Sequence, residues 1–262
     1  MFTENDLIRD IRALGIKNDD LLTVHTSLKA IGEIDGNGKS GAHTVICALR
    51  ACVPNGILMI PAHTYSNIRE VPIFNIRETM PCIGTLPKIA VELANEAYDN
   101  GDSSCVRSMQ VSHSVVAFGK NAYDFVECDR HVRTRTPMAG CYGKLYYEGG
   151  KILLLGVGLN KNTYIHSIDE HFDYNINGHI DTKIHSALAV TVTDYDGKTW
   201  VQEEISTPGP AAASFVRYKD ALDAAGAIKY GKIGNADSML IDAKKCFDVV
   251  METRTNEINI RS

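Results

Sequence analysis

At 262 residues, with 44% hydrophobic and 23% charged side chains, the chain carries enough apolar material for one large α/β core, which excludes a disordered or coiled-coil protein. A formal net charge of -5 without any run of Lys and Arg excludes a nucleic-acid partner gripped through its phosphates. The sequence shows no signal-peptide pattern and no stretch of about 20 apolar residues, so it reads as cytoplasmic, with no membrane partner.

In chain order, residues 1–15 predict an amphipathic helix with Thr3 as its N-cap. A branched apolar run at 21–28 predicts a strand. The turn Gly36-Asn37-Gly38-Lys39-Ser40 then opens a helical pattern at 41–53, which Pro54 ends. Further strands are predicted at 57–62, 114–118 and 151–158, with a helix at 84–97 between the first two. Near-continuous hydrophobicity in such strands fits a sheet covered on both faces. The alternation predicts a three-layer α/β/α sandwich around a largely parallel sheet.

After residue 186 the pattern changes. Alternating apolar and polar residues flank Asp196-Gly197, which predicts an antiparallel hairpin that extends or flanks the sheet and makes it mixed. Helical stretches follow at 211–226 and 236–248. With no repeat and no linker, residues 1–262 read as a single domain. Three polar loops adjoin strands, at 63–83, 99–113 and 127–143, and such loops are where α/β sheets place their sites.

Several motifs fail on inspection. A P-loop would need Gly at position 33, where Glu stands, although a glycine-rich helix start still suits an anionic ligand. Gly156-Val157-Gly158 follows an excellent strand, but Lys161 breaks the dinucleotide fingerprint. No G-x-S-x-G elbow is present. The seven cysteines contain no C-x-x-C pair, which argues against disulfides and structural zinc. His166, Asp169 and Glu170 share one helical face while His171 falls away from it, so a metal-dependent hydrolase that also used His63 and His113 stays open at this point. His166 follows a strand and a polar turn, at a strand's carboxyl end.

Four blocks carry a resemblance. They are Val24-His25-Thr26-Ser27-Leu28 with Gly32, residues 54–61 (PNGILMIP), Arg107-Ser108 with His113-Ser114-Val115, and residues 150–158 (GKILLLGVG) with Asn162-Thr163 and His166. Thr136-Pro137, Gly143-Lys144-Leu145 and residues 231–236 fit between and after them. On these the chain resembles the aminoglycoside 3-N-acetyltransferase family, over nearly its whole length.

That resemblance implies the three-layer fold, acetyl-coenzyme A as co-substrate without a metal, and direct transfer to an amine, the 3-amino group of an aminoglycoside in the family. It puts the general base at His166, with Glu204 or Asp169 as the carboxylate that orients it. The donor side would fall on His25, Thr26, Ser27, Leu28, Arg107, Ser108 and Ser112, with Arg107 meeting phosphate oxygens. The acceptor side would fall on Tyr65, Asn67, Thr163 and Glu170. An imidazole with an ordinary pKa of about 6.5 suits deprotonation of an amine near neutrality.

Two departures stand out: Gln110-Val111-Ser112 where many members have H-P-T, and Asn67 where some have Asp. A lost carboxylate weakens the fit to a polycation. A different amine acceptor, or a coenzyme A binder without turnover, therefore remain alternatives, and a homodimer is compatible with the sequence.

Overall fold

Thr3 opens the first helix, α1 (Glu4–Ala13), through a capping box in which its hydroxyl accepts the Asp6 N–H and the Asp6 carboxylate accepts the Thr3 N–H. The computed structural model describes residues 1–36, 38–177, 187–205 and 211–261. Strand β1 (Leu21–Thr26) leads into a one-turn helix α2 (Leu28–Ile31), capped by Ser27, and then α3 (Gly41–Cys52). The Ser40 hydroxyl accepts the His43 N–H, so the glycine-rich turn ends in an ordinary helix cap; its Asn37 lies outside the described residues.

The chain continues through β2 (Ile57–Pro61), α4 (Tyr65–Glu70), β3 (Ile73–Asn75), α5 (Thr85–Asp99), β4 (Cys105–Arg107) and β5 (Val115–Phe118). Then come α6 (Ala122–Val126), α7 (Cys141–Tyr147), β6 (Lys151–Leu155), α8 (Tyr164–Asn177), β7 (Ala187–Thr193) and β8 (Thr199–Ile205). It ends with α9 (Lys219–Ala224), β9 (Ile228–Ile233), β10 (Ala236–Asp242) and α10 (Ala243–Arg261).

Seven strands form the main sheet in the order β4-β5-β2-β1-β6-β10-β9. Only its centre, β2-β1-β6, is parallel; every outer pairing is antiparallel. The sheet is mixed, as expected, but less parallel than its apolar runs suggested. Successive residues of each strand point to opposite faces. Leu22, Leu58, Leu153 and Leu155 pack with α1, α3 and α5 on one side. Met59, Val115, Ile152 and Leu154 pack with α6, α7, α8 and α10 on the other. Both faces being buried is why these strands read as unbroken hydrophobic runs.

The hairpin turns at Asp196-Gly197, with Gly197 at φ 77°. It flanks the main sheet and does not extend it: β7 pairs with β3 in a separate three-stranded sheet. The stretch expected to be helical at 236–248 divides into β10 and the start of α10. Gly234, at φ 56°, makes the turn that brings β10 back along β9. The stretch at 211–226 is part 3-10 helix (Ala212–Tyr218) and part α9. No helix of the described residues is long and apolar enough to cross a membrane. Arg254 of α10 reaches back to α8, pairing with Asp169 and, at 2.9 Å, with Asp173.

The turn after β6 fixes where the following segment goes. Gly156 sits at φ 68°, and a Cβ there would lie 2.5 Å from that of Ala30. Gly156→Ala combines a left-handed backbone with an overpacked contact, and is expected to lower the unfolding free energy by about 2 kcal/mol or more. Urea denaturation measures it; an unchanged midpoint would show that the turn has slack.

Candidate active site

Because β2, β1 and β6 run parallel, their carboxyl ends meet at one edge of the sheet, the usual place for a site in such folds. A cavity of about 530 Å³ opens there. β1 brings His25 and Thr26 to its wall, and the end of β2 brings His63. Tyr65 and Arg69, four apart on α4, share a helical face and both line it. The turn after β6 delivers Lys161, Asn162, Thr163 and then His166 in the first turn of α8, while Arg135 enters from the 127–143 loop.

The cavity thus holds four imidazoles, and burial disfavours the charged form of each. Burial, with the Arg135 guanidinium adding to it, holds His166 down to about 4. Burial and Lys161 hold His25 down to about 3. His63 and His113 are pushed well below the ordinary value, chiefly by burial. All four are neutral near pH 7. The His166 ring meets Phe215 edge-on at 4.7 Å between centroids.

The carboxylates are arranged differently from the sequence expectation. The Glu204 carboxylate accepts the Ser112 hydroxyl proton. A hydroxyl has one hydrogen to give, so Ser112 must accept from His113 Nδ1, 2.8 Å away. That tautomer leaves a lone pair on His113 Nε2. The Glu204 chain therefore ends at His113, whose ring stands 4.5 Å from that of His63, and not at His166. Asp169 is fully buried and paired with Arg254. Glu170 accepts the Thr134 hydroxyl and, at 3.3 Å, the Thr136 N–H. Among the described residues no carboxylate hydrogen-bonds the His166 ring.

Of the residues expected on the donor side, His25 and Thr26 line the cavity. His25 Nε2, Thr26 Oγ1 and both side-chain heteroatoms of Asn162 are buried there without a partner. Unpaired buried polar atoms are costly unless a ligand satisfies them. Ser27 instead caps α2, Leu28 packs into the core, and the Ser108 hydroxyl accepts the Val115 N–H. Arg107 corrects the phosphate expectation: it is wholly buried, donates to the carbonyls of Ile76 and Thr79 at 2.8 Å each, and lies off the cavity wall. On the acceptor side Tyr65 and Thr163 line the cavity, while Asn67 is exposed off the wall and Glu170 lies behind it.

Among the described residues, three metal-ligand groups come together only at Cys128, Asp129 and Cys141, none of them on the cavity. Arg69 and Arg135 were not singled out from sequence. Both lie in polar loops flagged there, and that was the available signal.

The family model for aminoglycoside 3-N-acetyltransferase matches residues 23–254, and the chain belongs to that family. Aminoglycoside N(3)-acetyltransferase III from a Salmonella species is 29% identical over 258 residues, covering 94% of this chain and 77% of that protein. A solved structure of AAC-IIIb in binary complex with CoASH superposes with a TM-score of 0.77 at 24% identity, covering 98% of this chain and 97% of that one. AAC-VIa bound to sisomicin does so with a TM-score of 0.77 at 20% identity, over 98% of each chain. At such identities these two structures speak for the fold.

Only neutral imidazole accepts a proton, and the depressed value of His166 keeps it competent down to about pH 4. An NMR titration of its ring is expected to give a midpoint near that value, moving upward in Arg135→Gln as one of the two depressing influences is removed. An ordinary midpoint of about 6.5 would contradict the buried placement.

Proposed function

We propose that the protein transfers the acetyl group of acetyl-coenzyme A directly to a primary amine, with His166 as the general base. The observation that carries this reading is the neutral His166 on the wall of a cavity at the carboxyl ends of the parallel strands. Family membership and the related CoASH-bound structure support the donor. The unpartnered polar atoms of His25, Thr26 and Asn162 suit the amide-bearing arm of the coenzyme, and Lys161, exposed at the rim, suits its phosphates. An ammonium has no lone pair with which to attack a thioester. His166 takes the proton as the amine nitrogen bonds to the acetyl carbon, and the thiolate of the coenzyme leaves.

The family points to the 3-amino group of an aminoglycoside as acceptor. A second reading, a different amine on the same chemistry, is favoured by the wall itself: among the described residues no Asp or Glu lines the cavity.

Removing a positioned general base costs about 100-fold to 10,000-fold in rate. His166→Ala and His166→Asn are both expected to lose that much thiol release while binding acetyl-coenzyme A as the wild type does in calorimetry. Asn retains polar reach without a basic nitrogen, so the pair separates proton transfer from positioning. Either variant folding normally and turning over within about threefold of wild type would remove His166 from the base role.

A further inference from the structure

The charges around the cavity fall into two groups. Lys161 acts on His25. Arg69 and Arg135 line the same cavity, repel each other and both act on His113 and Glu204. Neither arginine has a hydrogen-bond partner among the described residues. Arg69 is exposed to the cavity. The Arg135 side chain is only 18% exposed; its one ion pair, Nε to Glu204, is long at 3.8 Å, and that Nε is buried without a hydrogen bond. A partly buried arginine whose Nε is unspent is poised for a ligand.

The backbone around Arg135 is pinned on both sides. Glu170 holds the Thr134 hydroxyl and the Thr136 N–H. Gln110 Nε2 donates to the Thr134 carbonyl at 3.1 Å and the Ser167 hydroxyl to that of Thr136 at 2.5 Å. This fixes the backbone that carries Arg135 before a ligand arrives and lowers the ordering cost of binding. The nearest carboxylates, Glu204 and Glu170, are buried behind the wall and already engaged. A polycation would therefore meet two arginines and no accessible carboxylate among the described residues.

We propose that Arg69 and Arg135 form an oxyanion-binding subsite in the acceptor half of the cavity, so that the amine acetylated carries a carboxylate or phosphate group. The inference rests on the amine-transfer reading and names the class of acceptor within it. The planar fork of a guanidinium matches either oxyanion. The same two cations also disfavour the ammonium form of the acceptor nitrogen, which has to lose its proton to react.

Two measurements test it. Thiol release from acetyl-coenzyme A is followed with matched amines that differ in one anionic group, glucosamine against glucosamine 6-phosphate and butylamine against 4-aminobutyrate, with sisomicin as the polycation. The anionic member of each pair is expected to show kcat/KM at least about tenfold above its partner, with sisomicin lowest. Arg69→Gln and Arg135→Gln are expected to erase that preference by raising KM for the anionic amine, with KM for acetyl-coenzyme A within about twofold. Arg69 is exposed, so its variant folds even if Arg135→Gln does not. In the second measurement inorganic phosphate and glucosamine 6-phosphate are titrated calorimetrically into protein saturated with coenzyme A, whose own phosphate contacts are then filled. Saturable binding, weakened in both variants, is expected.

Preference for sisomicin or the neutral amines would overturn the proposal. So would a rise in KM for acetyl-coenzyme A with acceptor preference intact, which would assign the arginines to coenzyme phosphates, or an equal fall in kcat for every amine. Absence of saturable anion binding would overturn it as well. If no amine releases thiol while phosphate binding to the coenzyme-saturated protein is saturable and arginine-dependent, the transfer reading fails and the anion subsite stands.

Discussion

The cavity exists because β1 lies in parallel register between β2 and β6, with Thr26 opposite Leu155 and Thr23 opposite Met59. Parallel neighbours end on the same side, so three separate chain segments leave the sheet there together. His25 and Thr26 close one strand, His63 follows the second, and the run from Val157 to His166 follows the third. A slip of one residue along β1 would exchange Leu22 and Val24 with their neighbours across the sheet and turn the histidine away from the cavity. Burial of both faces, each under its own helical layer, makes such a slip prohibitive. The chemistry is held by the hydrophobic core more than by any contact within the site.

Within that frame the electrostatics have one sign. Four neutral imidazoles, three cationic side chains and no described carboxylate face the cavity, and burial of the histidines keeps them from adding further charge. Glu204 and Glu170, whose carboxyls burial pushes up, in the case of Glu170 to about 7, serve from behind: one fixes the tautomer of His113 through Ser112, the other ties down the backbone beside Arg135. Acidic groups hold the site in shape while basic groups face the ligand. Proton uptake by His166 is disfavoured at rest, and a substrate that brings negative charge to Arg135 would offset one of the influences responsible.

Much of this was legible in the sequence, for identifiable reasons. β1, β2, β5 and β6 show as apolar runs because both their faces are covered, and Thr3 and Asp196-Gly197 act through local chemistry that needs no tertiary context. His166 could be singled out because it follows a strand and a polar turn. β10 could not, since Met239, Leu240 and Ile241 run directly into the apolar positions of α10 and the boundary at Asp242-Ala243 carries no glycine or proline. Arg107 illustrates the opposite failure: an Arg-Ser pair beside a strand suggests phosphate until its burial is known, and here the guanidinium sits 4.9 Å from the Phe74 ring. Glu204 was expected beside His166, but its hydrogen bond runs to Ser112 and from there to His113. That Arg69 and Arg135 line one cavity depends wholly on tertiary placement.

The ion pair between Asp169 and Arg254 joins residues 85 positions apart in the chain, and it bears on how the protein comes into being. Asp169 is completely buried in the helix that carries His166, and a buried carboxylate without its partner is strongly destabilising. On the ribosome, where the chain emerges from its N-terminal end, α8 is made long before α10. Until Arg254 is free of the exit tunnel, the helix bearing His166 cannot dock in its final charged arrangement. Docking of the helix that bears His166 therefore waits for α10, while the strands up to β6 can already pair.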